Sequence, residues 1–453
     1  MLYDAESGDF DIALAGDAML TRRISVGREK SFLALRDLLQ SADAVCANLE
    51  GSVRTWDEGT PGLTVGTYMT TPPEYLDDLK WLGVDMVSCA NNHAFDYGEG
   101  GIMATIRHLD AADIPHAGCG RNLAEARAPG YLDTARGRVA MIATTATFKP
   151  WNLAGVQRPD MQGRPGINPF RFTSTYTVDT SAFEELKRIS QELGFEKARE
   201  RDRRHFFSDR DLGGADAEED VALLGERFVR GNSFKVSTTP DPGDMAENLH
   251  AIAEARRQAD WVVVSFHSHE FGGESALSAE NRADLEELAD FTPVFARAAI
   301  DAGADVVFGH GPHTPLGVEI YKGRPIFYSV GNFIFMNETV PFFPADAYQR
   351  FDLGPDASPA DFLDARTAKD TKGHPAYPKF WQSVVGMCSF RNRELSQVRL
   401  YPIDMGHGLP RAQRGRPMMA SPDVAEGILD RLQYLSEGFG TRIRKVDGIG
   451  VID

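Results

Sequence analysis

Five of the chain's eleven histidines stand in three short motifs: Asn91-Asn92-His93, His267-Ser268-His269-Glu270 and Gly309-His310-Gly311-Pro312-His313. Two acidic residues, Asp17 in Gly16-Asp17 and Glu50 in Asn48-Leu49-Glu50-Gly51, stand in similar surroundings, each just after a short apolar run. Imidazoles and hard oxygen donors brought to one place suit a divalent transition metal, Mn, Fe or Zn, as one ion or a pair. Singly, each residue has a plainer use. An Asp after a strand caps a turn, and an Asn pair supplies turn conformations. Together they predict a metal site. A metal lowers the pKa of a bound water toward about 7, and two metals clamp the attacking and departing oxygens. That chemistry opens a phosphoester or an amide, because both develop an oxyanion; the ligands leave the choice of bond open.

The elements that must position these residues are short apolar runs alternating with amphipathic stretches, which predicts an α/β fold. Strands are predicted over 10–15, 44–47, 86–90, 139–144, 261–266, 305–308 and 325–330. Helices are predicted over 32–40, 73–82, 101–112, 245–258, 279–289 and 294–302. An antiparallel pair over 384–389 and 397–402 and a helix over 422–436 follow. Five of the strands run into a candidate ligand, and open α/β sheets bind at the carboxyl ends of their strands. Residues 148–245 show no clear strands and carry a charge-dense helix near 182–204. Residues 336–380 are rich in Pro, Phe and Asp with little periodicity. Both segments are expected at the rim of a site, as long irregular insertions usually are.

The net charge of −18 argues against a nucleic-acid partner. Cys46, Cys89, Cys119 and Cys388 have no framework spacing, so free thiols in a reducing compartment are expected. The first ten residues lack the basic and apolar regions of a signal peptide. No window reaches the roughly 18 apolar residues of a span. A cytoplasmic protein without membrane insertion is the expectation.

The order of the motifs resembles the bacterial capsule-synthesis (CapA, poly-γ-glutamate cap) family of the calcineurin-like metallophosphoesterase superfamily. The matching pieces are Gly16-Asp17-Ala18-Met19-Leu20, Asn48-Leu49-Glu50-Gly51, Ala90-Asn91-Asn92-His93 and Gly309-His310-Gly311-Pro312-His313, with Arg164-Pro165-Gly166-Ile167-Asn168-Pro169 and Tyr328-Ser329-Val330-Gly331-Asn332-Phe333. The resemblance implies a two-sheet sandwich flanked by helices, with a metal site at strand ends. It implies a domain over 1–335 with an insertion at 148–245, and an extension over 336–453 that completes it. Asp17 would be a first-site ligand, Glu50 the bridging carboxylate and Asn92 a second-site ligand. His267, His310 and His313, with His269 less firmly matched, would complete the shell. His93 would be the acid/base group. Two features depart from the phosphoesterase pattern: Met19 stands at its second ligand position, and two residues rather than one separate His310 from His313.

Arg164 and Arg171 flank a Gly-Ile-Asn-Pro turn, and a guanidinium grips carboxylate or phosphate bidentately. They are the substrate-binding candidates, with Asn91. The expectation is a bacterial metal-dependent hydrolase acting on a γ-glutamyl-type amide or a phosphoester of a small acidic substrate or oligomer. The alternative is a non-catalytic accessory component of poly-γ-glutamate capsule synthesis.

Overall fold

The computed structural model describes residues 5–64, 66–205, 220–272 and 286–453. The protein is mixed α/β, with several sheets and helices. It divides into two compact units. One comprises Met1–Phe170, Ala246–His269 and Ala296–Asp453; the other comprises Arg171–Met245 and Glu270–Phe295.

In the first unit, one sheet runs in the order Arg444–Val446, Ile449–Ile452, Glu394–Asp404, Gln382–Arg391, Phe10–Met19, Ala44–Leu49, Met86–Ser88, His116–Ala117. Asn332–Phe335 also pairs with Phe10–Met19, in parallel. A second sheet has the order Val318–Tyr321, Arg324–Phe327, Val306–His310, Trp261–His267, Gly137–Thr145, Gly130–Thr134. Phe10–Met19, Ala44–Leu49 and Met86–Ser88 pair in parallel in the first sheet, as Gly137–Thr145, Trp261–His267 and Val306–His310 do in the second.

Side chains alternate across a strand, so one strand can feed two cores. Phe10, Ile12 and Leu14 enter one core, and Ala13 and Ala15 enter the other. Ala44 and Cys46 divide from Val45 and Ala47 in the same way. A strand buried on both faces reads as a solid apolar run, which is how these strands look in the sequence. The first core also takes Met141, Val263, Val306 and Phe308 from the second sheet, so the two sheets share it. Trp261 stacks between them, its ring 5.3 Å from Phe10 and 4.9 Å from Phe390. The other core is closed by Phe32, Leu35 and Leu39 of helix Lys30–Leu39, Leu79 and Leu82 of helix Leu76–Leu82, and Ile102 and Leu109 of helix Gly98–Ala111. Burying each large apolar side chain contributes about 1.5–3 kcal/mol.

The predicted strands and helices of this unit are present, with ends shifted by a few residues. The last predicted strand is shorter, Arg324–Phe327. The irregular run 336–380 contains helices Ala345–Gln349 and Pro359–Thr367. The predicted helix 279–289 falls largely outside the described residues. Its described end is not helical, and Leu288 there bridges to Phe271.

The second unit corrects the expectation of no strands in 148–245. It holds a four-stranded sheet ordered Asp220–Leu223, Glu226–Arg230, Phe172–Val178, Lys235–Pro240. The strand Phe-Thr-Ser-Thr-Tyr-Thr-Val is β-branched and aromatic, which suits a pleated surface. Its threonines hide that preference from a search for apolar residues. The charged stretch forms two helices, Thr180–Glu192 and Phe195–His205.

The four cysteines are buried and free. Among the described residues, no helix is long and apolar enough to cross a membrane.

Candidate metal centre

Parallel strands end side by side, and that brings the predicted residues together. Asp17 lies near the end of Phe10–Met19, where the register with Ala44–Leu49 shifts between Ala15 and Asp17. A bulge of this kind re-aims a side chain. Gly16 makes it possible: a Cβ there would lie 1.7 Å from the carbonyl oxygen of Gly331. Asp17 is fully buried. Its Oδ1 accepts from Asn48 Nδ2 at 2.8 Å, and its Oδ2 accepts from the Gly311 amide at 3.0 Å.

His267 ends Trp261–His267 and His310 ends Val306–His310; the two residues are paired in register. Their Nδ1 atoms are 3.0 Å apart, and His310 Nδ1 is 3.1 Å from Asp17 Oδ1. Ser265 Oγ, 2.7 Å from His310 Nε2, fixes that ring's far side. The other edge of His267, Nε2, lies 2.9 Å from Asn92 Oδ1, 3.1 Å from His269 Nε2 and 4.0 Å from Glu50 Oε1. His313 Nδ1 is 2.9 Å from Asn332 Oδ1 and 3.5 Å from Asp17 Oδ2. His313 has φ +62°, left-handed backbone that costs a non-glycine residue about 1–2 kcal/mol. Gly311, at φ +111°, supplies the preceding reversal.

Donor atoms of three sets fall within 4.8 Å of one another: Asp17, His267 and His310; Glu50, His267 and His269; Asp17, Glu50 and His313. These buried groups could hold a metal ion. The charges support that. Burial alone would raise the Asp17 carboxyl, but hydrogen bonds with His310 and His313 hold it well below the usual range. Burial first, then the charges of Asp17 and Asp96, push Glu50 well up. Neither oxygen of Glu50 accepts a hydrogen bond among the described residues. A buried carboxylate in that condition costs free energy unless a cation meets it. Burial keeps His267 neutral and, with the charge of His313, takes His269 down to about 3. Neutral imidazoles are the form that binds metal.

His93 stands beside the cluster. Its Nε2 is 4.0 Å from Glu50 Oε1, and its Nδ1 is 2.7 Å from Asp96 Oδ2. Asn91 is a brace: Nδ2 donates to Asn48 Oδ1 and the Leu49 carbonyl, and Oδ1 accepts the His93 amide. Arg164 Nε donates to the Leu153 carbonyl at 3.0 Å. In the second unit, Arg171 holds the buried Asp244 through Nε at 2.7 Å and Nη2 at 2.8 Å. Both guanidiniums thus have partners within the protein. Sequence reasoning missed the orienting groups Ser265, Asp96 and Asn332. Asp96 is readable as a His-x-x-Asp spacing, and Asn332 stands in the quoted Gly331-Asn332-Phe333 motif.

Paired parallel strands delivering Asp, Glu and His to one buried cluster define a class of α/β protein with a prospective metal centre. The profile of the family described as "Bacterial capsule synthesis protein PGA_cap" matches residues 11–337, and the chain belongs to that family. It is 34% identical to the uncharacterized protein y4sH of Sinorhizobium fredii, over 98% of this chain and 93% of that one. It is 24% identical to the capsule biosynthesis protein CapA of Bacillus anthracis, over 73% of this chain and 61% of that one. It is also 24% identical to a probable polyglutamine synthesis accessory protein of Mycobacterium tuberculosis, over 66% of this chain and 58% of that one.

Proposed function

We propose that the chain is a metal-dependent hydrolase of metallophosphatase-like two-sheet architecture, acting on an amide of γ-glutamyl type or a phosphoester in an acidic substrate. The observation that carries this reading is Glu50, buried and, among the described residues, without a hydrogen-bond partner amid the donors of Asp17, His267, His269, His310 and His313. These residues, with Asn92, would hold one or two Mn, Fe or Zn ions. Bound there, a divalent metal supplies a water acidified toward a pKa of about 7. Ser265 and Asn332 fix the rings of His310 and His313. Asp96 orients His93 through Nδ1, leaving Nε2 to take up a proton and pass it to the departing group. The capsule, PGA and polyglutamine synthesis names among the relatives favour the γ-glutamyl amide.

Elemental analysis of purified protein, with a panel of phosphoester and γ-glutamyl substrates, tests this. At least one transition metal per chain is expected, and His310→Ala should cut the content, since incomplete shells bind weakly. Metal below stoichiometry with no rescue by Mn²⁺, Fe²⁺ or Zn²⁺ would sink the proposal. The names of the capsule relatives support a second reading, an accessory role without catalysis. Full metal occupancy with no turnover across the panel would favour it.

A further inference from the structure

Two side chains of the 336–380 run have no part in the cluster described above. Arg366, in helix Pro359–Thr367, donates Nη1 to the hydroxyl of the buried Thr67. Among the described residues it has no carboxylate within ion-pair reach. The acid whose charge it feels is Glu338. That carboxylate is already gripped by both arms of Arg414, one at 2.6 Å, and lies 3.6 Å from Arg411. Arg350 adds a second positive charge near Arg366. A half-buried guanidinium held by one neutral hydroxyl, beside a like charge, has unused capacity for an anion.

Its place relates it to the cluster. Thr67 follows Gly66, and a Cβ built on Gly66 would lie 3.4 Å from Cε1 of His93. His374, eight residues beyond Arg366, meets His313 edge-on, its ring 4.9 Å from that of His313. The His374 ring nitrogens make no hydrogen bond among the described residues. Arg366 is among the charged groups that act on that ring. An imidazole N–H can donate to an anion.

We infer that Arg366, with His374 beside it, forms an anion subsite that receives a carboxylate or phosphate of the ligand, next to the side of the cluster where His93 and His313 stand. Calling that ligand a substrate rests on the hydrolase reading; anion binding does not. The chemistry is what a γ-linked glutamate oligomer, with its free carboxylates, or a phosphoester would present.

Titration calorimetry on the full chain, as purified and after chelation, tests the subsite with two probes, inorganic phosphate and a γ-linked glutamate trimer. The parent should bind at least one probe, more weakly at high salt. Preference for the trimer identifies a carboxylate ligand, and preference for phosphate a phosphoester. Arg366→Gln keeps a donor for Thr67 and should weaken binding at least about tenfold with a flatter salt dependence. Arg366→Lys keeps the charge without the fork and should lose less. Arg188→Gln, on an exposed helix face of the second unit where the arginine pairs with Glu185, should bind as the parent does. If Arg366→Gln melts early, Arg366→Lys and Thr67→Val carry the comparison. Binding by folded Arg366 variants with the parent's affinity and salt slope overturns the proposal, as does a parent that binds neither probe. Metal content of the same samples keeps the two readings apart: Arg366-dependent binding by a chain that takes up no metal sinks the hydrolase and leaves the subsite.

Discussion

His93 Nδ1 lies 2.7 Å from Asp96 Oδ2, and the same carboxylate oxygen accepts the Met69 amide at 2.7 Å. The acid is therefore fixed before it fixes the imidazole, and Nε2 is left as the working nitrogen. His93→Asn should lower turnover by about 10²–10⁴-fold while metal content holds. Asp96→Asn should lower it by a smaller factor, by loosening the ring and its tautomer. Elemental analysis beside the assay decides the roles: if His93→Asn strips the metal, His93 is a ligand.

Glu50→Gln should act differently on two forms of the protein. In chelated protein it removes a buried carboxyl whose ionisation burial and the nearby Asp17 and Asp96 oppose, and the melting temperature should hold or rise. In metal-loaded protein it removes a ligand, and the melting temperature should fall, because ligand binding to the native state stabilises by mass action. Thermal unfolding with and without chelator reads both. A fall of equal size in the two forms would make Glu50 structural.

Arg171→Ala should destabilise the protein by about 1–3 kcal/mol, because it strips the buried Asp244 of its charge-assisted hydrogen bonds. The half-exposed arginine contributes little Coulomb energy of its own; the cost is the loss of its two side-chain donors from the buried carboxylate, which keeps the Arg171 amide. Urea unfolding measures it. Asp244→Asn should cost less, since it removes the charge while its Oδ1 can still accept from Arg171. An unchanged midpoint with a raised KM would return Arg171 to substrate binding.

Gly16→Ala should cost at least about 2 kcal/mol and lower metal affinity. Its methyl would fall on the Gly331 carbonyl oxygen, which accepts the Asp17 amide at 3.1 Å. Relieving that overlap moves the strand end that aims Asp17. Guanidinium unfolding and metal titration would show the two effects together. Parent-like metal affinity in a destabilised variant would separate the bulge from the site.

What the sequence made legible is what parallel strands write plainly. The runs Phe10–Ala15, Ala44–Ala47 and Trp261–Phe266 are apolar on both faces, and each hands the chain to a polar residue at its end. That pattern led to Asp17, Glu50, Asn92, His267, His269, His310 and His313. The orienting partners were hidden because they depend on distance in space. Ser265 lies within an apolar strand, and the tie of Asn332 to His313 is made by a strand that crosses back to Phe10–Met19. Arg171 read as an available cation because Asp244, 73 positions away, is invisible to local pattern. Phe172–Val178 was missed because threonine is polar in composition yet β-branched in shape.

His267 imposes a count on the centre. Its Nδ1 belongs with Asp17 and His310, and its Nε2 belongs with Glu50 and His269. A neutral imidazole has one lone pair in the ring plane and one N–H. If Nδ1 serves the first trio, Nε2 keeps its hydrogen and points it at Asn92 Oδ1; the second trio is then short of a donor. The two trios are mutually exclusive claims on one pair of electrons. A second ion would have to draw on Glu50 with Asn92 and His269, share Asp17 with Glu50 and His313, or take the ring's last proton, and its affinity should lag that of the first.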